Sequence, residues 1–208
     1  MSNPRQHKLF QQFPIEGERE ISVGRVPVPY HIYDGHGLLI GGTAELATVT
    51  ALLQNEQVTP LQTSEGKALM AIWICDFNEA SLEAHNELQI AIAVSHQPIK
   101  PLESHPLALL KAIFVNPDVR MLCHGLWNNT KKVVAYNSEL LGLSAQLNQG
   151  QIERKHGTKS FTFHNEAGEL ILEGQVREAQ YTPMGVGWQF SRLLGFRQTI
   201  RAFTQLRP

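Results

Sequence analysis

The chain is poor in the features that usually announce a function. Of its 208 residues only two are cysteines, Cys75 and Cys123, each inside an apolar stretch. Two such thiols make no disulfide framework, and they read as reduced core residues of an intracellular protein. Charge is scarce and balanced, with 18% charged residues and a formal net charge of −1. A chain so balanced has no global field to hold a polyanion, which argues against nucleic acid or an acidic membrane surface as partner. Long hydrophobic runs are missing too. Runs such as Ala68 to Cys75 fall far short of the roughly 20 residues of a membrane span. The opening MSNPRQHKLFQQFP has no long apolar stretch after its basic residues, so no secretory signal is expected and a cytoplasmic protein is.

The common chemical signatures are also lacking. Nine histidines are scattered without H-x-H, H-E-x-x-H or paired-cysteine spacing, so nothing local supports a metal site. There is no G-x-S-x-G elbow and no P-loop. The glycines of DGHGLLIGG are out of register for G-x-G-x-x-G and read as turn and strand-crossing positions. No cofactor and no metal is therefore expected.

What the chain does have is a hydrophobic fraction of 42%, enough for a sizeable core. Residues 1–20 are polar and read as irregular, with one domain over residues 21–208. Alternating apolar residues, prolines and glycines between Ile21 and Ile40 predict short strands and turns. Leu46, Val49, Leu52 and Leu53 recur at helical spacing, with Thr43 as a candidate N-cap and Pro60 as the limit. KALMAIWICDF and LQIAIAVSH read as buried strands, and LALLKAIFV ends in a strand-like run. Between the two buried strands, NEASLEAHNE is ambiguous. As a helix it would set Glu79, Glu83 and Glu87 on one face; as a turn it would be solvated.

Further strand-like segments follow at RMLCHGLW, KKVVAY, LGLSAQLNQG, KSFTFHN and GELILEGQVREAQYTP, with NQGQ and NEAG as turns of a β-meander. Near the end, Phe190, Leu193, Leu194, Ile200 and Phe203 can line one side of a helical tail, with Arg192, Arg197 and Arg201 elsewhere on it. Such a tail either docks on its own core or contacts another subunit. The strands dominate, so the expected fold is mostly β (α+β): one antiparallel sheet or barrel with a few flanking helices.

One short stretch, WNNTKKVVAYNSE, sets Lys131 and Lys132 directly before apolar Val133, Val134 and Ala135. Eight lysines make an adjacent pair unremarkable by chance, and the local sequence favours a solvated surface pair. On a strand, however, neighbouring side chains diverge, so one amine would point inward and the other outward. A buried lysine loses hydration and its pKa falls, and a neutral amine can form a Schiff base with a ketone.

The order of segments resembles the acetoacetate decarboxylase family over roughly residues 27–180. PVPYHIYDGHGLLIGGTAELATVTALL is similar to that family's proline-rich opening, strand and helix, and VTPL to the Pro-Leu that follows. ALMAIWICDF and HNELQIAIAVS resemble the strand, loop and strand that carry an active-site glutamate, and CHGLWNNTKKVVAY the segment that presents the Schiff-base lysine. The resemblance implies a β-barrel or cone and a subunit assembly. It also implies catalytic roles for Lys131 (Schiff base), Lys132 (the charge beside it) and Glu87 (pocket carboxylate). Thr130 stands where the family has a proline, Gly42 near its carboxylate-binding arginine and Ile72 near a second glutamate. Fold and Schiff-base chemistry are thus better supported than acetoacetate itself as substrate. The expectation is a lyase acting on a small-molecule keto acid or ketone, by decarboxylation or related aldol or dehydration chemistry. The alternative is a non-catalytic binding barrel of the same fold.

Overall fold

The computed structural model describes residues 4–103 and 108–177. The helical tail expected over the last residues, and the end of the single domain drawn to residue 208, lie outside them. The N-terminal segment is more regular than its polarity suggests. A 3-10 turn at Pro4–Gln6 leads into α1 (Lys8–Gln12), where the His7 ring nitrogen Nδ1 accepts from the Leu9 N–H at 3.2 Å. A hairpin follows, β1 (Gly17–Ile21) against β2 (Gly24–Val28).

The main sheet takes the remaining strands. These are β3 (Ile32–Glu45), the short β4 (Thr59–Pro60), β5 (Lys67–Ala80), β6 (His85–Ser95), β7 (Val119–Asn128), β8 (Ala145–Lys155), β9 (Thr158–Asn165) and β10 (Leu170–Arg177). They pair in the order β10-β9-β8-β7-β6-β5-β3, with β4 on β6. The sheet is mostly β as expected, but it curls into a half-barrel rather than a closed barrel. It is also mixed: β7 and β8 run parallel over three residue pairs, and every other pairing is antiparallel.

The parallel pair has a local cause. KKVVAY is not a strand. Lys131–Ala135 forms helix α4 and continues as a π-helical turn over Tyr136–Leu140. Thr130 starts it: its backbone is extended and its hydroxyl accepts from the Val133 N–H at 3.3 Å. A helical connection carries the chain back to the end of the sheet it left, and a returned chain pairs parallel. A third helix, α3 (Ala108–Val115), likewise replaces the strand expected in LALLKAIFV, whose Leu, Ala and Lys are good helix formers. The helix after β3, α2 (Leu46–Leu52), begins later than the Thr43 cap implies, because Thr43 still pairs with Leu69 in the sheet. In the last meander NQGQ lies within β8. The turn is at His156 and Gly157, both at positive φ (50° and 74°), the conformation of a two-residue hairpin turn.

Strand alternation gives the sheet two different faces. On one, Ile74 and Leu88 pack with Phe161 and Phe163, and Ala68, Ile92 and Val94 pack with Val49 and Leu53 of the α2 region. On the other, Leu69, Ala93 and Val119 pack with Leu61 and with Ala112 of α3. Toward the far end of this second face the apolar side chains give way to His85, Glu87, Cys75 and Asn128.

Candidate functional site

Register builds the site. Gly37, Cys75, Glu87 and Asn128 stand directly opposite one another on β3, β5, β6 and β7, so their side-chain positions form one row on one face. Gly37 keeps the row open: a Cβ there would come within 3.2 Å of the Cys75 sulfur and of the Trp73 indole nitrogen. Asn128, fully buried, donates through Nδ2 to Glu87 Oε2 at 3.0 Å and accepts from Asn137 Nδ2 at 3.0 Å. The π-helical turn supplies that asparagine, so the segment after the lysines closes over the carboxyl. Tyr136 packs edge-on to Tyr30 at 4.9 Å between ring centres, with Ile21, Val26 and Ala135 in the same cluster.

The electrostatics follow from this enclosure. Burial pushes the Glu87 carboxyl above the usual carboxylate range, and the Asn128 hydrogen bond only partly opposes it. Glu87 is thus a neutral acid over a wider pH range than an exposed glutamate. Burial, and secondarily the Glu87 charge, raises Tyr30 and lifts the thiols of Cys75 to about 12 and Cys123 to about 11. Both cysteines are free thiols. Burial lowers His85, two residues before Glu87 on the same strand. Where β5, β6 and β7 end, a shallow cleft of about 280 Å³ opens among Asp76, Asn78, His85, Asn86 and Asn129.

The three residues singled out from the sequence are placed differently from one another. Glu87 is buried in the row. Lys131 is exposed at the first position of α4, and Lys132 is half-buried. The strand that would send one amine inward and the other outward is therefore absent, and on the first turn of a helix the two side chains diverge by a fraction of a turn rather than to opposite faces. Glu87 accepts a hydrogen bond from Asn128. Glu79 lies near the end of β5 and pairs with Arg5, and Glu83 lies in the loop, so the three glutamates share no helical face. Among the described residues the buried lysine is Lys159 on β9, 4% exposed, whose charge acts on Cys75.

The sequence pattern gave no signal for His85, Tyr30, Asn128 or Asn137. A polar residue directly opposite Glu87 on a buried strand is a signal only once the register is known. The helix was detectable: Thr130 is a standard N-cap residue immediately before the lysines.

Among solved structures, the chain is similar to an acetoacetate decarboxylase from Legionella pneumophila subsp. pneumophila str. Philadelphia 1, with a TM-score of 0.55 and 10% identity over 91% of this chain and 66% of that one. The fold is acetoacetate decarboxylase-like. It is also similar to the enduracididine biosynthesis enzyme MppR complexed with pyruvate, with a TM-score of 0.50 and 9% identity over 72% of this chain and 58% of that one. The chain thus spans less than two thirds of the length of these structural neighbours. No protein-family model and no curated protein matches the chain. Among the described residues, no helix is long and apolar enough to cross a membrane, and no three His, Cys, Asp or Glu side chains gather as metal ligands.

Proposed function

We propose that the chain is a Schiff-base-forming lyase acting on a small keto acid or ketone. Lys131 supplies the amine, Lys132 the neighbouring charge and Glu87 the proton. The observation that carries this reading is the buried carboxyl of Glu87, biased by burial toward its neutral form, whose partner Asn128 lies three residues before Lys131 on the same continuous segment. The fold it shares with acetoacetate decarboxylase supports the same reading. The amine adds to the carbonyl, water leaves, and an iminium forms. Its cationic nitrogen accepts the electron pair released at the adjacent carbon, whether carbon dioxide or a proton departs. A protonated Glu87 can donate to the departing hydroxyl and later to the enamine carbon.

A second reading is a binding protein without catalysis. The exposure of Lys131 and the engagement of Glu87 with Asn128 favour it. One experiment separates the two: incubation with pyruvate, acetoacetate and related keto acids in the presence of borohydride, followed by mass mapping. A reduced adduct on Lys131 supports the lyase. An adduct on Lys132 or Lys159 moves the amine to that residue. Binding of a keto acid with no adduct on any lysine leaves the binding protein.

A further inference from the structure

His85 is buried, 3% exposed, and its ring has a fixed tautomer. Nδ1 lies 2.8 Å from the Glu83 backbone oxygen, and a carbonyl can only accept, so Nδ1 carries the hydrogen and Nε2 presents a bare lone pair. That Nε2 is buried and has no hydrogen-bond partner. Natural proteins seldom leave a buried acceptor unsatisfied, and where they do a catalytic role is one of the recognised reasons. His85 and Glu87 are two residues apart on β6, so they share a face at roughly 6–7 Å along the strand. The Phe77 ring from β5 lies 4.9 Å from the imidazole and Tyr30 lies 6.3 Å away. The ionisable groups facing it are Glu83 and Tyr30 beside it, Glu87 on the same face of its strand and Asp76 in the adjoining cleft.

We infer that His85 is the base of the candidate site and that, with Glu87 as the acid, it fits the site to remove a proton from the carbon beside an iminium. That is the step of aldol and dehydration chemistry, rather than of decarboxylation alone. The inference rests on the Schiff-base reading for the iminium. Burial moves the two groups in opposite directions, Glu87 up and His85 down, so each is biased toward its neutral form on the same face of the strand. Decarboxylation breaks a carbon–carbon bond and takes no proton from carbon, so its bond-breaking step does not use the Nε2 lone pair. With pyruvate the methyl C–H bond of the iminium breaks. Its proton goes to Nε2, its electron pair forms C=C, and the C=N π pair returns to nitrogen to give a neutral enamine. Return of a solvent deuteron reverses the step, so the methyl hydrogens exchange in D₂O.

The test follows the pyruvate methyl signal by proton NMR in D₂O with the full chain, alongside borohydride trapping. Wild type exchanges the methyl hydrogens. His85→Asn keeps a donor toward the Glu83 oxygen but deletes the Nε2 lone pair; it slows exchange about a hundredfold or more while trapping persists. Exchange within about twofold of wild type, with trapping intact, overturns the role of His85 and leaves the lysine reading standing. Should His85→Asn fail to fold by circular dichroism, His85→Gln takes its place. If wild type traps on no lysine, the Schiff-base reading fails by itself, and His85 is then judged by ¹⁵N NMR of its ring. Saturating pyruvate shifts the Nε2 resonance if His85 faces the bound molecule, and an unmoved resonance overturns the inference.

Discussion

The start of β6 and the start of α4 lie on either side of Asn128, yet they treat ionisable groups in opposite ways. On β6, His85 and Glu87 are taken out of water among aromatic rings and amide groups. On α4, Lys131 remains exposed and Lys132 half-exposed. The difference is one of element type. A strand whose face is covered dries every second residue. The first turn of a helix directs its side chains around an axis, and here Val133 and Ala135 take the covered side. Desolvation has therefore been applied to Glu87 and His85 more fully than to Lys131 and Lys132.

That contrast can be broken most forcefully at Asn128, which serves the buried side alone. Asn128→Ala leaves both Glu87 and Asn137 short of a partner. A buried polar group stranded this way costs about 1–3 kcal/mol, so chemical denaturation should show a loss of about 2–5 kcal/mol. The next effect depends on pH. Because the folded-state pKa of Glu87 is raised, the folded protein holds this proton more tightly than the unfolded chain does. The associated stability is fully present below the unfolded value of about 4.5 and is lost as pH rises through the folded value. Glu87→Gln has no such loss, so its unfolding free energy gains on wild type as pH rises from about 4.5 through the folded value, and the difference then levels off. His85 has the opposite sign. Its folded-state pKa is lowered, so wild type loses stability as pH falls below about 6.5, and His85→Asn should flatten that acid limb.

On the helix side the effects are smaller. Thr130→Ala removes the cap of α4 and should cost about 1 kcal/mol, read as a lower denaturation midpoint with an unchanged slope. Lys131→Ala comes last in stability, within about 0.5 kcal/mol of wild type as for other exposed positions, while abolishing the borohydride adduct. A large loss of stability from Lys131→Ala would erase the contrast between the two regions.

Much of the strand content was legible. KALMAIWICDF and KSFTFHN fall within observed strands and LQIAIAVSH runs one residue past the end of β6, since β-branched and aromatic residues on a half-buried sheet leave a strong local pattern. The misreadings fell where a short apolar run can serve either element. Val133 and Val134 suggested a strand, and a single capping hydroxyl from Thr130 decided for a helix. That one exchange also turned an expected antiparallel sheet into a mixed one, because the connection from β7 to β8 became a helical crossover. Part of the candidate site was equally legible. Glu87 could be picked out through the resemblance, but nothing in HNELQ states that His85 would be dry or that its Nδ1 would be fixed by the carbonyl two residues earlier.

By itself the sequence determined a chain with little charge, two thiols and a strand-rich core, along with the segment order that gives an acetoacetate decarboxylase-like fold. Composition and apolar periodicity are local quantities, and they survive without knowledge of the partners. Only the tertiary structure decided which ionisable groups lost their water. Burial of Glu87 and His85 depends on the register of β5, β6 and β7 and on a π-helical turn that brings Asn137 onto Asn128. Those contacts join residues far apart in the chain, and desolvation is a property of the assembled surroundings rather than of the residue.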